Sequence, residues 1–102
     1  MTQVYMIANL TIDDADTYRK YEKGFFPILK KYNGSFVTFD DSIEHFEGSA
    51  PVQGRIVMFS FPSEEVAREW YNDADYQELS EFRRAGAPLK SLTMVKGLPP
   101  RD

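Results

Sequence analysis

Residues 3–10, QVYMIANL, place Val4, Met6, Ala8 and Leu10 on one parity and Tyr5 and Ile7 on the other, which predicts an opening strand apolar on both faces. The period then changes. Tyr18, Tyr21, Phe25, Ile28, Leu29 and Tyr32 recur at steps of three and four, the single apolar stripe of an amphipathic helix. Its start is expected at Asp13, whose carboxylate can accept from the free amides of a first turn, with Asp14 and Asp16 favourably placed in the helix dipole. Gly34, in the YNG that follows the stripe, is a natural stop. Pro27 lies inside the stripe beyond Gly24 and has no amide to donate, so a kink or a change of segment is expected near residues 24–27.

Residues 35–47, SFVTFDDSIEHFE, predict a strand from Ser35 to Phe39, an acidic break at Asp40 and Asp41, and a short second stretch around Ile43 to Phe46. GSAPVQG is turn chemistry. RIVMFSF, residues 55–61, is the strongest strand pattern in the chain, apolar at both parities from Ile56 to Phe59, and is expected at the centre of a sheet. Pro62 ends it, Ser63 can cap the next helix, and Glu64 and Glu65 suit that helix's first turn. Val66, Ala67, Trp70 and Tyr71 share one face. NDAD interrupts the spacing, and Tyr76, Leu79 and Phe82 restart it in a second short helix ending at Gly86 and Pro88. LKSLTMVKG, residues 89–97, supplies the last strand and residues 98–102 a tail. The order βαββααβ, with no internal repeat or long linker, predicts one domain over residues 1–97. Its expected form is a ferredoxin-like α+β fold, a four-stranded antiparallel sheet with its helices on one face.

Helices on one face leave the other face bare, yet the polar alternation of a solvated sheet is missing. Tyr5, Ile7, Val57 and Phe59, or their neighbours of opposite parity, would make an unusually large apolar patch on a monomer. The economical cover is the same face of a second copy, the two sheets closing into a barrel with two-fold symmetry.

Composition narrows the partners. A hydrophobic fraction of 42% with 15% aromatic residues is ample for one core in 102 residues. Twelve Lys plus Arg against sixteen Asp plus Glu give a net charge of −4, the wrong sign for a phosphate backbone or an anionic membrane. Phe36, Val37 and Phe39 do reproduce the tail of an RNA-binding motif. Tyr32 and Asn33 stand where that motif needs a basic residue and a glycine, and the segment lies on the second strand instead of the third, so no nucleic-acid partner is expected. The chain has no cysteine, which removes disulfides, thiolate nucleophiles and cysteine-held metal and suits a reducing compartment. MTQVYMIANL lacks a basic start followed by a long apolar stretch, and no apolar run approaches the roughly 18 to 20 residues that cross a bilayer. A cytoplasmic protein without membrane contact is expected.

Candidate chemistry is sparse. His45 is the single histidine, with Glu44 and Glu47 beside it, and could handle protons near neutrality; it could equally be a surface residue. Tyr76, just after the NDAD break, is the second candidate for proton handling. Arg55 and Arg83 offer planar forks for a small carboxylate, or ion pairs with the chain's own acids. Trp70 and Tyr71 could line a pocket between helix and sheet or could be core. With one histidine and no cysteine a transition-metal site is not expected, and no cofactor motif is present.

An Asp-started helix carrying Tyr18 and Tyr21, YNG at 32–34, EHFEG at 44–48, RIVMFSFPS at 55–63, WY at 70–71, DYQ at 75–77, Arg83 and VKG at 95–97 follow one another in this order. Together they resemble the domain of unknown function 1330 family within the dimeric α+β barrel superfamily, over nearly the whole chain. Phe39, Asp40 and Asp41 depart from the arginine and two glycines that the family commonly carries after the second strand. The resemblance implies the fold and a homodimer through the open sheet face. It implies no reaction, because the wider superfamily spans cofactor-free monooxygenases, lactone isomerases and haem enzymes, the last of which would make His45 an axial ligand. Two functions remain open: a cofactor-independent enzyme acting on a small organic acid or aromatic compound in each subunit's cleft, and a non-catalytic ligand-binding or structural homodimer.

Overall fold

The computed structural model describes residues 2–98; of the expected tail, residues 99–102 lie outside the described residues. Strand β1 (Val4–Leu10) buries Val4, Met6, Ala8 and Leu10 and leaves Tyr5 and Ile7 half-buried, so the two parities face different surroundings. Helix α1 (Ala15–Lys31) is capped by Asp14 and not by Asp13. Asp14 has a matching partner three residues on: its carboxylate accepts from the Thr17 amide at 3.2 Å and from Thr17 Oγ1 at 2.8 Å. The amides of Asp13 and Asp14 both donate to the Gly86 carbonyl, at 2.8 and 2.9 Å.

The expected change of segment at Pro27 does not occur, and α1 continues through it as one helix. Pro27 and Lys23 are both exposed, so the Lys23 carbonyl that loses its partner faces water, while Phe25 and Leu29 hold the opposite face in the core. At the far end the Asn33 amide bonds the Lys30 carbonyl at 3.0 Å and the Gly34 amide the Leu29 carbonyl at 2.9 Å, with Asn33 at φ 58°. That is a Schellman turn whose left-handed residue is asparagine. Gly34 leaves room for its neighbours: a Cβ there would crowd the Leu29 side chain and stand 2.9 Å from Phe61 Cε1.

The remaining elements are β2 (Ser35–Asp40), β3 (Arg55–Phe61), α2 (Glu64–Tyr71), α3 (Ala74–Gly86) and β4 (Leu89–Lys96). Ser63 caps α2, accepting from the Val66 amide at 3.3 Å, as its position after Pro62 suggested. The short stretch expected around Ile43 to Phe46 is not a strand. Asp40 Oδ1 accepts from the Ser42 amide at 2.7 Å and turns the chain out of β2, and Phe46 is left 90% exposed.

The sheet order is β2-β3-β1-β4 with every pair antiparallel, and α1, α2 and α3 cover one face of it. Met6 pairs with Phe59 and Ile7 with Met58, so an odd position on β1 shares its face with even positions on β3. Val57, Phe59 and Phe61 therefore turn to the helices. The open face carries Tyr5, Ile7, Ile56 and Met58, with Thr93 and Val95 from β4, and not Tyr5 and Ile7 together with Val57 and Phe59. On β2, Phe36 pairs with Phe59 and Thr38 with Met58, leaving Val37 as a bulge. The extra residue brings Phe36 and Phe39, three apart, to the same helix-covered face.

The core is aromatic. Trp70 is 0% exposed, with its ring centroid 4.1 Å from that of Tyr76 and 5.2 Å from those of Phe59 and Phe61. The apolar spacing expected on α3 is rotated in the fold: its buried side is Tyr76, Ser80, Arg83 and Gly86, whereas Phe82 is 40% exposed beneath Lys20 Nζ. Asp73 caps this helix, accepting from the Tyr76 amide at 2.9 Å, and its other oxygen accepts from Tyr32 Oη at 2.6 Å and Lys31 Nζ at 3.0 Å. Among the described residues, no helix is long and apolar enough to cross a membrane.

Candidate functional site

Between α1, α3 and the sheet lies a cavity of about 100 Å³. Tyr18, Tyr21, Glu22 and Phe25 come to it from α1, because positions i, i+3, i+4 and i+7 share a helical face. Tyr76 and Arg83, two turns apart, come from α3. Arg55 enters from the first position of β3, and the β2 bulge delivers Phe36 and Phe39 to its rim. Phe26, Phe36, Phe39 and Glu22 are exposed and mark the mouth; Tyr21, Tyr76 and Arg83 are buried and form the floor.

The two arginines differ. Arg55 is already bound: its Nε and Nη2 donate to the two Asp41 carboxylate oxygens at 2.6 and 2.9 Å, a bidentate pair. Glu22 Oε2 lies 3.7 Å from Arg55 Nη1, and the guanidinium stacks 4.7 Å from the centre of the Phe39 ring. This pairing holds the Asp41 carboxyl below its usual range and the Arg55 guanidinium above its own. Arg83 is 5% exposed, its Nε has no hydrogen-bond partner, and its guanidinium lies 5.8 Å from the centre of the Tyr21 ring. Among the described residues no carboxylate reaches it.

Tyr21 and Tyr76 join hydroxyls at 2.9 Å. Burial, with Tyr76 alongside, raises the Tyr21 phenol well above its ordinary value, and burial also raises Tyr18. Both stay protonated at neutral pH.

Of the residues singled out in the sequence, Tyr76, Arg55 and Arg83 meet at this cavity. Trp70 packs behind Tyr76 and is not part of the wall. Tyr71 is exposed on α2 and borders a separate shallow depression with Met6, Leu89 and Met94. His45 is exposed in the loop between β2 and β3, where its Nε2 lies 2.7 Å from the Gly48 carbonyl oxygen, and does not line the cavity. Sequence reasoning passed over Tyr21 and Glu22 as sites. Tyr21 was legible as part of the apolar stripe, but its hydroxyl's partner lies 55 positions away.

The whole of this architecture, residues 3–98, matches the family model of the domain of unknown function DUF1330. The chain belongs to that family. Comparison with curated proteins finds no match. Among solved structures, a DUF1330 chain of this shape is similar to a protein of unknown function from Rhodopseudomonas palustris, at TM-score 0.73 and 14% identity over 99% of this chain and 85% of that one. It is similar to SnoaB, a cofactor-independent oxygenase from Streptomyces nogalater, at TM-score 0.57 and 10% identity over 100% and 97% of the two chains. It is also similar to a dimeric ferredoxin-like protein of unknown function from Thermobifida fusca, at TM-score 0.52 and 13% identity over 94% and 90%. At these identities the DUF1330 chain shares a fold with them, and nothing finer follows.

Proposed function

We propose that this DUF1330 chain is a homodimeric small-molecule-binding protein, each subunit holding one ligand in the cavity between α1, α3 and the sheet. The observation that carries the reading is the make-up of the cavity wall. Aromatic rings surround a few converging polar groups, Arg83 and the Tyr21–Tyr76 hydroxyl pair, which is the usual composition of a ligand pocket. A chain shaped by packing alone would fill such a space. The open sheet face with Tyr5, Ile7, Ile56 and Met58 supports the dimer, as does the dimeric ferredoxin-like neighbour. A cytoplasmic location belongs to the same reading, resting on a chain without cysteine.

Catalysis is the second reading, favoured by the cofactor-independent oxygenase among the structural neighbours. It would assign proton handling to Tyr21, Tyr76 and Glu22, which face the cavity, ahead of His45, which does not. Binding is tested by thermal denaturation of the full chain with one-ring probes, benzyl alcohol and benzoate. A saturable rise in Tm with either supports the cavity as a ligand site. No shift with either at millimolar concentration removes the proposal.

A further inference from the structure

Among the described residues, Arg83 is a buried cation without a counter-ion. Its residue exposure is 5%, its Nε has no partner, and among the described residues no carboxylate lies within ion-pair distance of it. Among the described residues the one acid of the cavity wall is Glu22, half exposed at the mouth, where it leans on Arg55, which Asp41 grips through both oxygens. The inner end of the cavity therefore keeps a positive charge that nothing in the wall cancels. A largely buried guanidinium with no carboxylate beside it is costly in a core, and proteins rarely hold one without something to pair with it.

Resting on the reading of this cavity as the ligand site, we propose that Arg83 is the anchor for the carboxylate of a small aromatic or otherwise apolar organic acid. The planar fork of the guanidinium matches the two oxygens of a carboxylate. A second donor stands beside it. Tyr21 and Tyr76 carry two O–H protons and spend one on their mutual hydrogen bond, so the other is free to donate to the same anion. Toward solvent, Phe26 and Phe36 lie with ring centroids 5.4 Å apart and Phe36 and Phe39 6.3 Å apart, an exposed aromatic collar for the apolar remainder of the ligand. A volume of about 100 Å³ admits a head group and part of one ring, leaving the rest of the molecule in that collar. Arg55, already neutralised by Asp41, shapes the rim and is not the anchor.

Benzoate and benzyl alcohol present the same ring with a charged and a neutral one-carbon arm, so their comparison isolates the charge. Calorimetric titration of the full-length protein is expected to show benzoate binding tighter than benzyl alcohol by roughly tenfold to a hundredfold, the worth of a charge-assisted hydrogen bond. Arg83→Met should lose the preference for benzoate over benzyl alcohol. Its Tm without ligand should equal or exceed that of wild type, because an uncompensated buried charge has been replaced by an apolar chain of similar length. Arg83→Lys keeps the charge without the fork and should retain part of the preference; together with the wild-type comparison it decides the matter if Arg83→Met does not fold. Equal binding of the two probes by wild type overturns the inference and leaves the cavity reading standing. A preference for benzoate that survives in Arg83→Met also overturns it. Failure of both probes removes the cavity reading and the anchor with it.

Discussion

Tyr21 of α1 and Tyr76 of α3 meet hydroxyl to hydroxyl at 2.9 Å in the buried interior, across 55 positions of sequence. The two hydroxyls share one hydrogen bond, so removing either takes that bond from its partner while removing both strands neither. Tyr21→Phe and Tyr76→Phe should each lower stability by about 0.5 to 1.5 kcal/mol, and the double variant should lose less than the sum. Urea denaturation of the four proteins checks this. Strict additivity would mean that the two hydroxyls do not pair in solution.

Trp70 lies at the centre of the aromatic core, and among the described residues its indole nitrogen has no hydrogen-bond partner. The ring's value is volume, not polarity. Trp70→Ala should cost about 3 to 5 kcal/mol through lost burial and the cavity left behind. Trp70→Phe should cost clearly less, since it keeps an aromatic ring and removes an unpaired N–H. The native protein's single tryptophan should emit to the blue of the urea-unfolded chain; emission at the unfolded wavelength would contradict its burial.

Asp73 accepts from Tyr32, Lys31 and the Tyr76 amide at once, with Tyr32 the strongest influence, and its carboxyl is pulled down to about 2. An unfolded aspartate titrates at roughly 3.9. The folded state therefore prefers the charged form. Its contribution to stability is fully present above the unfolded value and is lost as pH falls through the folded one. The stability gap between wild type and Asp73→Asn should be constant from pH 5 to 7 and shrink between pH 4 and about 2. Asp73→Ala, which also loses the helix cap, should cost about 1 to 3 kcal/mol at neutral pH. A gap independent of pH would rule out the charge as the source.

Met58 pairs with Ile7 at the middle of the open sheet face. Met58→Lys should leave the fold intact, as read by far-ultraviolet circular dichroism, because the side chain points away from the helices. Light scattering should report twice the chain mass of 11.8 kDa for wild type and 11.8 kDa for the variant. An 11.8 kDa wild type would remove the dimer from the proposed function.

Elements held together by local pattern were legible in the sequence. The strands of residues 4–10 and 55–61 and the Ser63 cap follow from parity, from proline and from side-chain chemistry within a few positions. The partition of the strand faces was not, because parity within one strand says nothing about register with the next. On α3, apolar spacing pointed to Tyr76, Leu79 and Phe82; the fold buries Tyr76, packs Leu79 at the edge of the core, exposes Phe82, and buries Ser80 and Arg83 as well. Ser80 is satisfied by donating to the Tyr76 carbonyl at 2.8 Å, so its burial leaves no pattern in an apolar count. Arg83 was visible as a candidate anchor, but its isolation from every described carboxylate is a three-dimensional fact. The Asp41 clamp that distinguishes Arg55 from it spans fourteen positions and a loop.

Helices α1 and α3 are tied at both extremities. The Gly86 carbonyl takes the amides of Asp13 and Asp14 where α1 begins and α3 ends, and Asp73 takes Tyr32 and Lys31 where α1 ends and α3 begins. Two antiparallel helices joined at both ends in this way roof the cavity, and these four bonds resist their separation from either end. The side of the cavity without such ties is the exposed strand β2 with its bulge at Val37. Under the proposed function, a ligand entering the cavity passes the exposed Phe36 and Phe39 beside the Asp41–Arg55 pair, so the side chains of β2 meet it before Arg83 does.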